Sequence, residues 1–298
     1  MTHTFVDING PVAGATPVRL HVVQAGPDAG PLVILLHGFP EFWYGWTHQI
    51  AALAEAGFRV WVPDQRGYNL SDKPMGVEAY TLDALVGDVL GLIKAAGRQK
   101  AIIVGHDWGA VVAWWTAVSF PERVERLIVL NGPHPSVMMR FALRHSGQLL
   151  RSWYIGFFQL PWLPETIISW ANYATLARTL RRSSRPGTFT EADIQQYKTA
   201  WSQPGAIHSM LNWYRASLRK PPAPQSTERI FVPTLLIWGV RDQFLKREIA
   251  QLSVDYCNNG RVVFIENATH WVHHEEARRV NELILQEINS SGHPSVES

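Results

Sequence analysis

Cysteine is nearly absent from this 298-residue chain: Cys257 stands alone, so no disulfide can form within it and a disulfide-stapled scaffold is excluded. Long apolar runs are missing as well. No segment approaches the ~18 uninterrupted apolar residues of a membrane-spanning helix. Met1 to Pro11 has no basic start followed by an apolar stretch. A soluble, cytoplasmic protein is expected. Excess charge of either sign is small, with 27 Lys plus Arg against 25 Asp plus Glu, and 22 glycines with 19 prolines rule out collagen or a low-complexity tail. There is no G-x-G-x-x-G and no phosphate loop, and no His or carboxylate cluster has metal-ligand spacing, so neither cofactor nor metal is expected. What remains is 46% hydrophobic residues in a chain long enough for a full-sized core or a core with one added domain.

Short β-branched or leucine-rich runs recur at 18–23, 32–36, 59–62, 101–104, 127–130, 234–238 and 262–265. Several are apolar on consecutive positions, as in strands buried on both faces. Helical patterns lie between them, at 47–56, 82–96 and 110–119. This alternation predicts an α/β fold with a mostly parallel sheet flanked by helices, in which reactive groups gather at the strand carboxyl ends. The alternation stops after Leu130 and resumes at Thr234. The gap is aromatic, helical in pattern and too long for a loop. It carries turn signals at 161–164, 183–187 and 221–224. It is expected to form a helical cap over residues 133–228, with 1–132 and 229–298 as the core and Ser290 to Ser298 as a frayed tail. The cap holds 11 Lys plus Arg and 4 Asp plus Glu, a net +7 inside a chain of net +2. Scattered helical cations explain this better than a nucleic-acid surface.

The most informative stretch is Gly105-His106-Asp107-Trp108-Gly109, after a strand and before a helix. Glycines two positions either side of one polar residue are the mark of a nucleophile elbow, a turn too sharp for side chains at the flanks. The central residue is usually serine and here is Asp107. A carboxylate is poorly suited to acyl transfer, but it can attack an electrophilic sp³ carbon and become an ester. Hydrolysing that ester needs a base and an orienting acid. Both follow in the usual chain order, Asp242 in WGVRD and His270 in NATHW, at what are expected to be successive strand ends. Two backbone N–H groups would meet the ester oxygen, those of Trp108 at the helix start and of Phe39 in the loop after the second core strand. His37 is read as a structural residue of that loop.

Taken together, HGFPEFWYGW from His37, DQRGYNLSDKP from Asp64, GHDWGA from Gly105, NGPHP from Asn131, WGVRD from Trp238 and ATHWVHHE from Ala268 resemble the epoxide hydrolase family of α/β-hydrolases over most of the chain. The elbow alone is shared with haloalkane and fluoroacetate dehalogenases. Two cap segments, SWYIGFFQLPWLPE from Ser152 and LNWYR from Leu211, resemble those bearing the family's paired tyrosines. The resemblance therefore implies an acid role for Tyr154 and Tyr214, and an activity that turns a small apolar epoxide and water into a vicinal diol. It implies no nucleic-acid partner and is compatible with a homodimer.

Opening an epoxide creates an alkoxide, a poor leaving group without a proton donor, whereas a halide needs N–H donors and no acid. A dehalogenase with the same nucleophile is one alternative, and a non-catalytic homologue that binds ligand without turnover is another. Asp107 alone could be a helix N-cap. Tyr173 and Tyr197 compete with Tyr154. His273 and His274 compete with His270 but are expected at the surface. Asp64 is read as non-catalytic, and Trp43 and Trp46 as candidates to line an apolar pocket.

Overall fold

A computed structural model describes residues 1–9, 17–222, 225 and 227–290. Tail residues 291–298, and part of the turn expected at 221–224, lie outside the described residues. Eight strands form one sheet: β1 Thr2–Ile8, β2 Val18–Ala25, β3 Leu32–Leu36, β4 Arg59–Pro63, β5 Ala101–His106, β6 Val124–Leu130, β7 Thr234–Gly239 and β8 Gly260–Ile265. Their order is β1-β2-β4-β3-β5-β6-β7-β8. The first two pairings are antiparallel and the rest parallel. Every expected strand is present. The unanticipated one is β1, where inward Thr4, Val6 and Ile8 alternate with exposed His3, Phe5 and Asp7. Its polar residues belong to an edge that needs only one buried face, so no apolar run announces it.

Alternation within the inner strands divides the core in two. Val33 and Leu35 of β3 pack with Val60, Val104 and Leu130 on one face, while Ile34 and Leu36 join Ile103, Val129 and Trp238 on the other. Successive strand side chains point to opposite faces, so a strand apolar at every position serves both. Helices α1 Thr47–Glu55, α2 Leu82–Ala95 and α3 Trp108–Ser119 follow β3, β4 and β5. Ile50 and Leu53 of α1 belong to the first face, Leu85 of α2 and Ala113 of α3 to the second. Each such large aliphatic side chain withdrawn from water contributes about 1.5–3 kcal/mol before chain entropy is counted.

Among the described residues six helices lie between β6 and β7: α4 Pro135–Arg144, α5 Ser146–Arg151, α6 Trp153–Phe157, α7 Leu163–Ser183, α8 Glu191–Trp201 and α9 Ala206–Arg219. α7 is interrupted at Trp170–Tyr173, where Ala171, Asn172 and Tyr173 all take positive φ. α8 starts with a reciprocal cap: Thr190 Oγ1 accepts from the Asp193 N–H, and the Thr190 N–H donates to Asp193 Oδ2. Indole donors tie these helices to core loops, Trp201 Nε1 to the Pro40 carbonyl and Trp213 Nε1 to that of Arg66. The chain closes with α10 Glu248–Val254, α11 Val272–Glu275 and α12 Ala277–Asn289. Among the described residues no helix is long and apolar enough to cross a membrane.

Candidate active site

Strand β5 delivers Asp107 into the turn before α3, with φ 50° and ψ −117°. Positive φ is costly for a residue with a Cβ and persists only where its surroundings enforce it. The enforcement is visible at the flanking glycines. A Cβ on Gly105 would lie 2.4 Å from the Gly109 carbonyl oxygen, and one on Gly109 would lie 2.1 Å from that of Leu36. Only hydrogen fits at either position, so the elbow holds Asp107 at the strand's carboxyl end.

The two carboxylate oxygens of Asp107 differ. Oδ1 accepts a hydrogen bond of 2.9 Å from the Phe39 N–H. Oδ2 lies 3.6 Å from His270 Nε2. Trp108 opens α3, so its N–H is in the first turn, where no intrahelical acceptor exists. His270 Nδ1 is 2.7 Å from Asp242 Oδ2. Asp242 is completely enclosed: Oδ1 accepts from the N–H groups of Phe244 (2.7 Å) and Leu245 (2.9 Å), and Oδ2 also accepts from Asn131 Nδ2 (2.8 Å).

The acid, base and candidate nucleophile thus come together, with one correction. Their strands are not three neighbours, because β6 lies between β5 and β7. The intervening strand supplies Asn131, a residue assigned no role from the sequence. Asn131 has φ 36°, and its Oδ1 accepts from the Gly239 N–H at 2.7 Å while its Nδ2 reaches Asp242. An Asn-Gly pair straight after a buried strand was the available signal.

Burial disfavours a charged imidazole at His270, but the Asp242 charge and the hydrogen bonds of Asp107 and Asp242 outweigh it and raise the group from 6.5 to about 10. Asp242 moves oppositely: burial would raise it, yet His270, Asn131 and the Leu245 N–H keep it below the usual carboxylate range.

Asp107 and His270 open onto a cavity of about 630 Å³ also lined by Phe39, Phe158, Tyr154 and Tyr214. The two tyrosine rings lie 6.0 Å apart, nearly perpendicular. Both phenols are pushed well above their usual range, first by burial and then by neighbours that include the Asp107 charge. The Trp108 ring meets that of Tyr214 edge-on, with centroids 5.1 Å apart. Tyr173 packs against Trp201, and the Tyr197 hydroxyl donates to Glu41 Oε1 at 2.8 Å, so neither rival tyrosine lines the cavity. The tryptophans that do are Trp153 and Trp271, whereas Trp46 is packed against His273 and Trp43 meets His3 of the edge strand edge-on.

His273 and His274 are not at the surface. His273 is fully buried and His274 nearly so, and they converge on Glu41: His273 Nε2 lies 3.2 Å from Oε2 and His274 Nε2 2.7 Å from Oε1. His106 Nδ1 lies 3.2 Å from Oε2. Glu41, His273 and His274 have donor atoms within 4.8 Å of one another, close enough to hold a metal ion, although Tyr197 and His274 already engage Oε1. Sequence spacing hides this group because Glu41 arrives from a distant loop. His37 bridges that same loop, accepting the Gln65 N–H at Nε2 and donating from Nδ1 to the Gly38 carbonyl. Asp64 accepts from His21 Nδ1, the Trp43 N–H and Asn69 Nδ2, a set of partners that fixes loops and leaves no oxygen for substrate.

Residues 31–277 match the profile of the alpha/beta hydrolase fold family. The chain is 48% identical over 286 residues to the AB hydrolase superfamily protein YfhM of Bacillus subtilis, covering 96% of this chain and 97% of that one. It is 38% identical over 289 residues to human epoxide hydrolase 4, covering 95% and 78%. Among solved structures, a Bacillus megaterium epoxide hydrolase in complex with an inhibitor superposes with a TM-score of 0.86 at 32% identity, over 96% of this chain and 100% of that one.

Proposed function

The chain belongs to the epoxide hydrolases of the α/β-hydrolase family, and from that premise we propose that it hydrolyses a small apolar epoxide to a vicinal diol through an ester on Asp107. The observation that carries this reading is the pairing of a carboxylate, on an elbow that usually holds serine, with two phenols lining the same cavity. In this reading residues 133–228 form the cap and 1–132 with 229–298 the core.

Oδ2 is the attacking oxygen, since Oδ1 is engaged by the Phe39 N–H. A C–O bond forms to Oδ2 as the ring C–O bond breaks, and the departing alkoxide takes a proton from Tyr154 or Tyr214. Both phenols are raised in part by the Asp107 charge. Ester formation removes that charge, so they become better acids as the alkoxide appears. The same loss acts on His270. Its imidazolium pairs with Asp107 at rest; neutralising Asp107 lowers its proton affinity, its proton passes through solvent to the tyrosinate, and the neutral ring can then serve as a base. Water then attacks the ester carbonyl and gives its proton to His270, and the oxyanion meets the N–H groups of Phe39 and Trp108. On collapse the leaving alkoxide takes the hydroxyl proton of the intermediate, which releases the diol and restores the Asp107 carboxylate beside the His270 imidazolium. No cofactor enters the sequence.

A dehalogenase would use the same nucleophile, but a halide leaves without a proton and so has no need of the two phenols that line this cavity. A ligand-binding homologue would not need the imidazole line from Asp242 to Asp107. The test is a single turnover in ¹⁸O water with enzyme in excess. The new hydroxyl of the first diol is expected to be unlabelled because it comes from Asp107; solvent label in that first product overturns the ester mechanism.

A further inference from the structure

Of seventeen large hydrophobic residues exposed among the described residues, ten lie between Met139 and Trp170, within the cap. Three are tryptophans: Trp153, Trp162 and Trp170 are 66%, 80% and 74% exposed, whereas Trp46, Trp114, Trp201, Trp213, Trp238 and Trp271 are fully enclosed. The exposure follows helix periodicity. Met139 and Leu143 are four apart on α4, and Leu163, Ile167 and Trp170 fall at i, i+4 and i+7 on α7. Side chains so spaced share one face, so these helices turn toward water the face that an amphipathic helix ordinarily buries. The patch is continuous with the cavity, since Leu150, Trp153 and Ile167 are at once exposed and part of its lining.

The charge around this rim has one sign. Between residues 133 and 190 there are seven arginines and a single acid, Glu165; Arg140, Arg181 and Arg185 pair with carboxylates from outside this stretch, Glu228, Glu191 and Glu276. Glu165 is already committed, accepting from Arg215 and pairing with His208. Arg178 and Arg182 are exposed on the part of α7 whose Thr175, Leu176 and Thr179 line the cavity. Another protein's apolar face would match the hydrophobic residues but leave these cations without a partner. An anionic lipid surface matches both: indole rings favour the headgroup level, and arginines meet the phosphates.

We propose that the rim of the cavity docks on an anionic phospholipid bilayer, so that an apolar substrate dissolved in the lipid passes into the cavity without crossing bulk water. Docking is independent of the proposed reaction; only the delivery of substrate rests on that reading. Flotation with vesicles of phosphatidylcholine alone, or with phosphatidylglycerol added, tests docking without turnover. The full chain is expected to partition onto the anionic vesicles on the order of tenfold more strongly than onto the neutral ones, and to be released by high salt.

The triple variant Leu143→Ser, Trp162→Ser, Trp170→Ser changes residues outside the cavity lining. It is expected to lose roughly tenfold in partitioning while keeping turnover of a water-soluble epoxide. Arg178→Glu with Arg182→Glu is expected to remove the preference for anionic lipid. If the wild type binds neither vesicle, the proposal fails. It also fails if sedimentation shows a dimer that the triple variant dissociates, since the patch would then be covered by a second copy. A chain that docks but turns over no epoxide would overturn the reaction and leave the docking surface standing.

Discussion

Two carboxylate–imidazole groups lie side by side behind the cavity, and they are wired differently. At His270 each ring nitrogen has its own carboxylate, Asp242 at 2.7 Å on Nδ1 and Asp107 at 3.6 Å on Nε2. At Glu41 one carboxylate is shared by His106, His273 and His274. The groups nearly touch, for the His106 ring is 4.7 Å from that of His270 and 4.3 Å from that of His273. His270 is raised to about 10, while burial and the neighbouring His274 and His106 push His273 well below its ordinary value. Burial acts alike on both rings, so the difference comes from the ratio of carboxylates to imidazoles. Only the first group opens on the cavity and can exchange a proton with what binds there; the second is closed and joins the nucleophile loop, the histidine loop and, through Tyr197, the cap.

Breaking the first group should have the largest effect. His270→Gln removes the base for ester hydrolysis but leaves Asp107 able to attack, so steady turnover should fall on the order of 10⁴-fold. Intact-protein mass spectrometry should then show an adduct of substrate mass. A folded variant with neither turnover nor adduct would give His270 another role.

Across the cavity, the phenols should matter less singly than together. Tyr154→Phe and Tyr214→Phe should each slow ester formation on the order of 10²-fold in single-turnover experiments, because one donor remains. The double variant should open almost no epoxide. Undiminished epoxide opening by a folded double variant would remove these tyrosines from the mechanism, and bromide release from a 1-bromoalkane that outpaced epoxide opening in the wild type would favour the dehalogenase reading.

The smallest effect is expected in the closed group, and there it concerns stability. Burial opposes the charge on Glu41, yet the imidazoles of His273, His274 and His106 hold it well below 4.5. A depressed carboxylate stabilises the fold above its unfolded value and loses that contribution as pH falls through the folded value. Glu41→Gln should therefore cost about 2 kcal/mol near neutral pH and flatten the acid limb of a denaturation profile. His270 has the opposite sign. Its raised value stabilises below about 6.5, and the contribution is lost as pH rises through about 10. The alkaline limb should survive in Glu41→Gln and flatten in His270→Gln. Identical profiles for both variants would mean that the two groups titrate as one.

Much of this was legible one residue at a time. The glycines at 105 and 109 declare the elbow because the clash they avoid is with backbone a few residues away or in the adjoining strand. The strands apolar on consecutive positions, such as 32–36 and 101–104, declare a sheet buried on both faces, and the order Asp107, Asp242, His270 follows the strands that carry them. Spacing could not reach contacts between distant segments. β6 entered between β5 and β7 and brought Asn131 to Asp242. Glu41 drew in His273 and His274, which read as surface residues. Trp153 was left at the rim while Trp46 was enclosed. Local sequence sets backbone shape and which faces are apolar, since both depend on near neighbours. Which polar atom finds which partner, and so which histidine gains a proton and which loses one, is decided only when chain segments far apart in sequence are packed where water cannot satisfy them.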